Sequence, residues 1–187
     1  MSTRSGIYIV PTDRWYAERG VWVVAGVVLV VSTAAAALWN RWAILMVVAT
    51  GLVSMSVAIT GFCPIANVLK RLGCPGLLDS NPSSKWYVMK TDTWYLERRI
   101  YPIVGFNIAM ASVLSLVHSP WWLIFPGFVG LAMFWFAATG FCILANAFYW
   151  SGAEPRLNPG AVQPRRADEI ATARCCVTAG AESHASV

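Results

Sequence analysis

Charge is what this sequence has least of. Asp, Glu, Lys and Arg make up only 12% of its 187 residues, where a soluble domain carries about a quarter. From residue 21 to residue 69 the only charged side chain is Arg41, and from 100 to 153 there is none. Helices cut from such stretches have no polar face to turn to water, so lipid is left as their solvent. Histidine is nearly absent as well. His118 sits at a break between apolar runs and His184 near the C-terminus, which excludes a bis-histidine haem inside the runs. With no acid or base in those runs, ion pumps, proton-coupled carriers and quinone sites with acidic relays lack the groups they need. No G-x-G-x-x-G or Walker sequence is present, and no nucleotide fingerprint follows. No cleavable signal is apparent, because one apolar run follows closely on another as in a hairpin. The net charge of +5 comes from basic residues flanking apolar runs, a pattern of topology control rather than of nucleic-acid binding.

What is present is a repeat. Sliding the sequence by 79 positions aligns residues 13–73 with 92–152 without a gap, and 17 of the 61 pairs are identical. Unrelated chains of average composition would give roughly four. DRWYAER at 13–19 matches DTWYLER at 92–98, and AITGFCPIAN at 58–67 matches AATGFCILAN at 137–146. Gly26 pairs with Gly105, Gly51 with Gly130 and Trp42 with Trp121. Shared apolar composition does not produce that order; duplication does.

Each copy holds two apolar runs, 21–39 and 42–62 in the first, 100–117 and 121–141 in the second. At 1.5 Å per residue such runs span roughly 27–32 Å, the thickness of the hydrocarbon layer. The expected fold is therefore all-α and integral to a membrane: four transmembrane helices in two tandem hairpins. Both copies cross an even number of times, so they are expected to be related by a pseudo-twofold axis along the membrane normal. Thirteen of the 14 Lys and Arg lie before the first apolar run, between the second and third, or after the fourth, and only Arg41 lies at a tip. That bias predicts a multi-pass protein of the bacterial inner membrane with both termini cytoplasmic. The expected divisions are a terminal segment 1–12, hairpins 13–73 and 92–152, a wetted linker 74–91 and a mobile tail 153–187. Trp15, Tyr16, Trp94 and Tyr95 are expected to anchor the inner interface, with Glu18–Arg19 and Glu97–Arg98 at headgroup level. Trp39, Trp42, Trp121 and Trp122 mark the outer one. Pro126 is expected to bend the fourth helix.

The repeated T-G-F-C-x-x-A-N motif is the one place for chemistry. Thr60, Cys63 and Asn67 share a helical face, as do Thr139, Cys142 and Asn146. One reading is packing, in which Gly61 and Gly140 admit a neighbouring backbone and Thr and Asn hydrogen-bond between helices. The other brings Cys63 and Cys142 together for thiol chemistry or soft-ion binding. Pro64 is expected to kink the second helix, and Ile143 replaces it in the other copy. Cys74, Cys175 and Cys176 face a reducing compartment on this topology; the last two form a vicinal pair that could bind a soft metal. No cofactor and no confident metal site is predicted.

The W-Y-x-E-R lead, the hairpin and the T-G-F-C-P signature resemble the transmembrane domain family of YgaP-type inner-membrane proteins. The residues concerned are Glu18, Arg19, Gly26 and 60–64, then Glu97, Arg98, Gly105 and 139–142. The resemblance implies a fused dimer in which each hairpin supplies one protomer, here without a rhodanese domain and without the second proline. Two functions stay open: a non-enzymatic scaffold or accessory subunit, associating with lipid and with a larger membrane complex or itself, and a thiol-dependent conduit for sulfur species. Soft-metal handling is a third.

Overall fold

A computed structural model of the chain describes residues 6–158. The fold is all-α. Four long apolar helical stretches, 22 residues at Ala17–Leu38 and Leu96–Val117 and 20 at Arg41–Thr60 and Pro120–Thr139, would span about 33 and 30 Å, enough to cross a bilayer. We number the helices α1 (Ala17–Leu38), α2 (Ile44–Thr60), α3 (Pro64–Arg71), α4 (Leu96–Val117), α5 (Ile124–Thr139) and α6 (Ile143–Trp150). Short 3-10 turns, Arg41–Ala43 and Pro120–Leu123, lead into α2 and α5. Large side chains such as Val31, Leu52, Phe106, Phe128 and Trp135 stay exposed along the bundle. Water would penalise a surface of this extent, whereas hydrocarbon does not.

Helix pairing crosses between the copies. The most extensive contacts join α1 to α5 and α2 to α4, while α4 and α5 touch each other far less. Glycine explains how close they come. A Cβ on Gly26 would stand 2.9 Å from the Gly130 carbonyl oxygen, and one on Gly51 would stand 2.8 Å from that of Gly105. In lipid, helix association rests on such close packing, because hydrocarbon gives no hydrophobic drive between helices. At the tips, the Asn40 side chain accepts the Trp42 N–H at 3.0 Å, and Arg41 donates to the Leu116 carbonyl at the end of α4.

The helix ends depart from the sequence expectation. Pro64 does not kink α2. That helix has already stopped at Thr60, capped by Gly61 in the left-handed region (φ 74°), and Pro64 sits in the first turn of a new helix, where its missing N–H costs nothing. The same break occurs without proline in the second copy, where Gly140 (φ 72°) ends α5 and Ile143 opens α6. Glycine, not proline, makes the break. Pro126 lies at the third residue of α5, just beyond the 3-10 turn that leads into that helix. The proline inside a helix is Pro102, in α4.

Most of the core lies outside the spans, at the end that carries α3, α6 and the linker. Tyr8, Tyr16, Tyr87, Tyr95 and Tyr149 are fully buried there, with Leu78, Met89 and Leu96. The cluster within the membrane-spanning part is small: Leu29, Val47 and Ile108. The linker is docked at Leu78, Asp79, Tyr87 and Met89, which are buried, while residues 80–83, 85 and 86 between them are exposed. The first residues after α6 are docked too, with Ala153 and Leu157 buried.

The glycine crossings generate a contrast. Gly105→Leu should lower the thermal midpoint in detergent by overpacking a backbone contact, costing about 1–3 kcal/mol. Gly127→Ala should be tolerated, because its Cβ would meet only the Thr33 methyl at 3.4 Å. A thermal melt of the two variants beside the unaltered chain checks both.

Candidate functional site

The two repeated motifs meet at the terminus end, and they meet across the copies. The residues between Tyr16 and Arg19 set this up. Glu18 opens α1 and Glu97 opens α4, each in a first turn whose N–H groups favour an anion. Neither is open to solvent: Glu18 is 1% exposed and Glu97 4%. A buried carboxylate needs donors. Glu18 accepts the backbone N–H groups of Leu77 (3.1 Å) and Leu78 (2.6 Å) and the Tyr87 hydroxyl (2.8 Å). Glu97 accepts those of Arg156 (3.0 Å) and Leu157 (2.9 Å) and the Tyr8 hydroxyl (2.6 Å). Every donor to Glu97 stands 79 residues from its counterpart at Glu18: Arg156 and Leu157 follow Leu77 and Leu78 by that interval, and Tyr8 precedes Tyr87 by it. Each glutamate therefore receives the chain that follows its own hairpin and a tyrosine from the lead of the other copy. Burial first, and then the adjoining carboxylate, pushes both hydroxyl pKa values far up. The phenols stay protonated and remain donors.

The arginines make the complementary exchange. Arg98 is buried and donates from Nε to the Ala58 carbonyl at 2.8 Å, while Nη1 reaches the Thr91 and Thr93 carbonyls at 2.7 and 3.1 Å. Arg19 does the same with Ala137 (2.8 Å), Thr12 (2.8 Å) and Arg14 (3.2 Å). Ala58 and Ala137 lie in the last turns of α2 and α5, where carbonyls lack intrahelical donors and a cation is favoured. Each guanidinium also lies over a tryptophan, Arg19 over Trp15 at 4.4 Å and Arg98 over Trp94 at 4.2 Å. The W-Y-x-E-R lead of one copy thus caps the T-G-F-C helix of the other.

The motif asparagines bind backbone, not helices. Asn67 accepts the Tyr87 N–H (2.8 Å) and donates to the Tyr87 and Cys63 carbonyls (2.9 and 2.8 Å). Asn146 accepts from Tyr8 (2.7 Å) and donates to Tyr8 and Cys142 (3.0 and 2.9 Å). The Gly61 carbonyl accepts the Met89 N–H at 2.8 Å, and that of Gly140 accepts the Val10 N–H at 3.0 Å. A Cβ at either glycine would collide with the carbonyl of Met89 or Val10. Thr60 and Thr139 act locally: each donates to the carbonyl four residues back, Ser56 or Trp135, and accepts the N–H of Phe62 or Phe141.

Of the aromatic anchors, Trp15 and Trp94 are exposed while Tyr16 and Tyr95 are buried in the core. Cys63 and Cys142 each cap the start of a short helix, α3 and α6. Cys63 is buried and Cys142 half-buried; both are free thiols, as is Cys74. Burial pushes the Cys63 pKa up, the Glu18 charge adds to it, and the Ile65 and Ala66 N–H groups only partly offset this. Among the described residues no group of three or more His, Cys, Asp and Glu could hold a metal. Cys175, Cys176 and His184 lie outside the described residues. Sequence reasoning singled out Asn67 and Asn146 but missed the linking roles of Tyr8, Tyr87, Glu18 and Glu97. One signal was available: Tyr8 and Tyr87 stand 79 residues apart, as do Leu78 and Leu157, all outside the aligned block.

The chain matches no family model, no curated protein and no solved structure.

Glu97→Ala should cost more than Glu97→Gln. Alanine strands two buried N–H groups and a hydroxyl, at about 1–3 kcal/mol for each unpaired donor, while glutamine keeps one acceptor. Detergent-resistance or thermal midpoints of the two variants give the order.

Proposed function

We propose that this chain is a non-enzymatic scaffold or accessory subunit of a larger inner-membrane complex. In this reading it is a fused dimer of a YgaP-type hairpin, its halves related by a pseudo-twofold axis along the membrane normal. The core of tyrosines and both termini then face the cytoplasm, in keeping with the placing of 13 of 14 basic residues. One observation carries the proposal. The polar groups of both motifs are engaged in holding one copy to the other: Glu18 and Glu97 on backbone and tyrosine, Arg19 and Arg98 on helix ends, Asn67 and Asn146 on leads. None of them is left to bind or transform a substrate. What the bundle offers outward is apolar and aromatic, including Trp121, Trp122, Ile124, Phe125 and Phe128 around one shallow depression at the tip. A neighbouring membrane helix and lipid both suit such a surface.

A thiol relay is the second reading. Its support is the placement of Cys63 and Cys142 at matching helix starts. The raised Cys63 pKa weighs against it, because the thiolate is the nucleophile.

Gentle solubilisation distinguishes the two. A stoichiometric integral-membrane partner should copurify with the chain, and the Cys63→Ser/Cys142→Ser variant should retain both the partner and the function of the complex. A lone monodisperse chain in several mild detergents contradicts the scaffold. Thiosulfate or sulfide movement in vesicles that disappears with the two thiols supports the relay instead.

A further inference from the structure

Residues 6–10 form an arm that ends in a socket on the second copy. The socket is specific. Trp150 donates from its indole to the Gly6 carbonyl at 2.8 Å, Asn146 brackets the Tyr8 backbone, and Glu97 takes the Tyr8 hydroxyl. The Asn158 amide donates to the Ile9 carbonyl at 3.0 Å, and Val10 donates to Gly140. The Tyr8 ring stacks on Tyr149 with centroids 6.1 Å apart. Ile9 pairs antiparallel with Phe141, and both of these side chains point partly to the outside. Such an arrangement is that of an extended peptide in a recognition site. Backbone bonds hold it in place, and a buried carboxylate reads one side chain.

The matching segment around Tyr87 and Met89 is fixed differently. It binds Asn67, Glu18 and Gly61 in the same way, but the chain enters it from Asp79 and leaves it into α4. Among the described residues the arm is joined to the bundle on its C-terminal side, through Pro11 and the residues before α1. Everything else that holds it is non-covalent.

We propose that this socket is a peptide-binding site whose ligand is exchangeable, so that a second copy of this chain can supply the arm and link two bundles. An arm seated in a neighbour makes the same contacts that it makes at home, which is the basis of segment swapping. The short tether favours the home socket through its effective concentration. Confinement to one plane of membrane, or weakening of the resident arm, shifts the balance toward the neighbour. The inference rests on these contacts alone and holds whether or not the chain is a scaffold.

The test uses full-length chains whose native cysteines are replaced by serine. One tagged copy carries Ile9→Cys and a differently tagged copy carries Phe141→Cys. Ile9→Cys/Phe141→Cys in a single chain reports that the pair lies within bonding reach. Co-expressed and oxidised in the membrane, the two single variants should give a disulfide-linked heterodimer. Tyr8→Phe in the acceptor removes the hydroxyl bond to Glu97 from its resident arm and should raise the yield roughly tenfold, the value of one charge-assisted hydrogen bond. If the double variant closes internally while neither acceptor yields a cross-copy bond, the arm does not exchange. A heterodimer whose yield ignores Tyr8→Phe would also overturn the proposal, since it would report collision rather than occupancy of the socket.

Discussion

A carboxylate taken out of water has to be surrounded by donors, and in this protein the donors come from far away in the chain. Glu18 gathers N–H groups about 60 residues on and a tyrosine 69 residues on; Glu97 gathers its own from 59 and 60 residues on and from 89 residues back. Leaving either carboxylate unsatisfied would cost several kcal/mol. The segments that supply the donors are therefore held where they are, and with them the leads, the linker and the short helices. The aromatic core forms around that fixed frame.

From the glutamates outward, the rest of the architecture can be followed link by link. The next residue in each lead is an arginine, and α-helical geometry turns it to the side of the neighbouring helix end, where free carbonyls await a donor. The helix end itself is made by Gly61 or Gly140, whose left-handed conformation stops the span and opens the carbonyl that receives the lead of the opposite copy. The asparagine one turn into the short helix then brackets the tyrosine of that lead. Four motif elements that looked like separate features thus serve one junction, made twice. Below it, small residues let α1 approach α5 and α2 approach α4 closely, so both levels of the bundle tie copy to copy.

Much of this was legible in the sequence, for physical reasons. Four uncharged runs have no stable environment but lipid, so span number and length followed directly. The repeat offset was set by residues such as Glu18, Arg19, Gly61 and Asn67, whose roles tolerate no drift. Other features were not legible. Tyr16 and Tyr95 were read as interface anchors from their type alone, yet a tyrosine beside a glutamate and an arginine that turn inward turns inward as well. The linker was read as wetted because Pro, Gly, Asn and Ser punctuate it; residues 80–83 are exposed, but Leu78, Tyr87 and Met89 on either side of them are buried. Pro64 drew attention as a breaker while Gly61, three residues earlier, had already ended the helix. Periodicity shows which face a residue occupies; it does not show which distant segment will cover that face.

The central claim is that each lead holds the other copy. Four double-mutant cycles measure this directly, using stability in detergent with Tyr8→Phe or Tyr87→Phe combined in turn with Glu18→Gln or Glu97→Gln. Crossed pairing requires coupling of about 1 kcal/mol or more between Tyr8 and Glu97 and between Tyr87 and Glu18, the scale of neighbouring groups that share a bond, and additivity for Tyr8 with Glu18 and Tyr87 with Glu97. Coupling confined to the second set, with the first additive, would mean that each hairpin is closed by its own lead and would contradict the account.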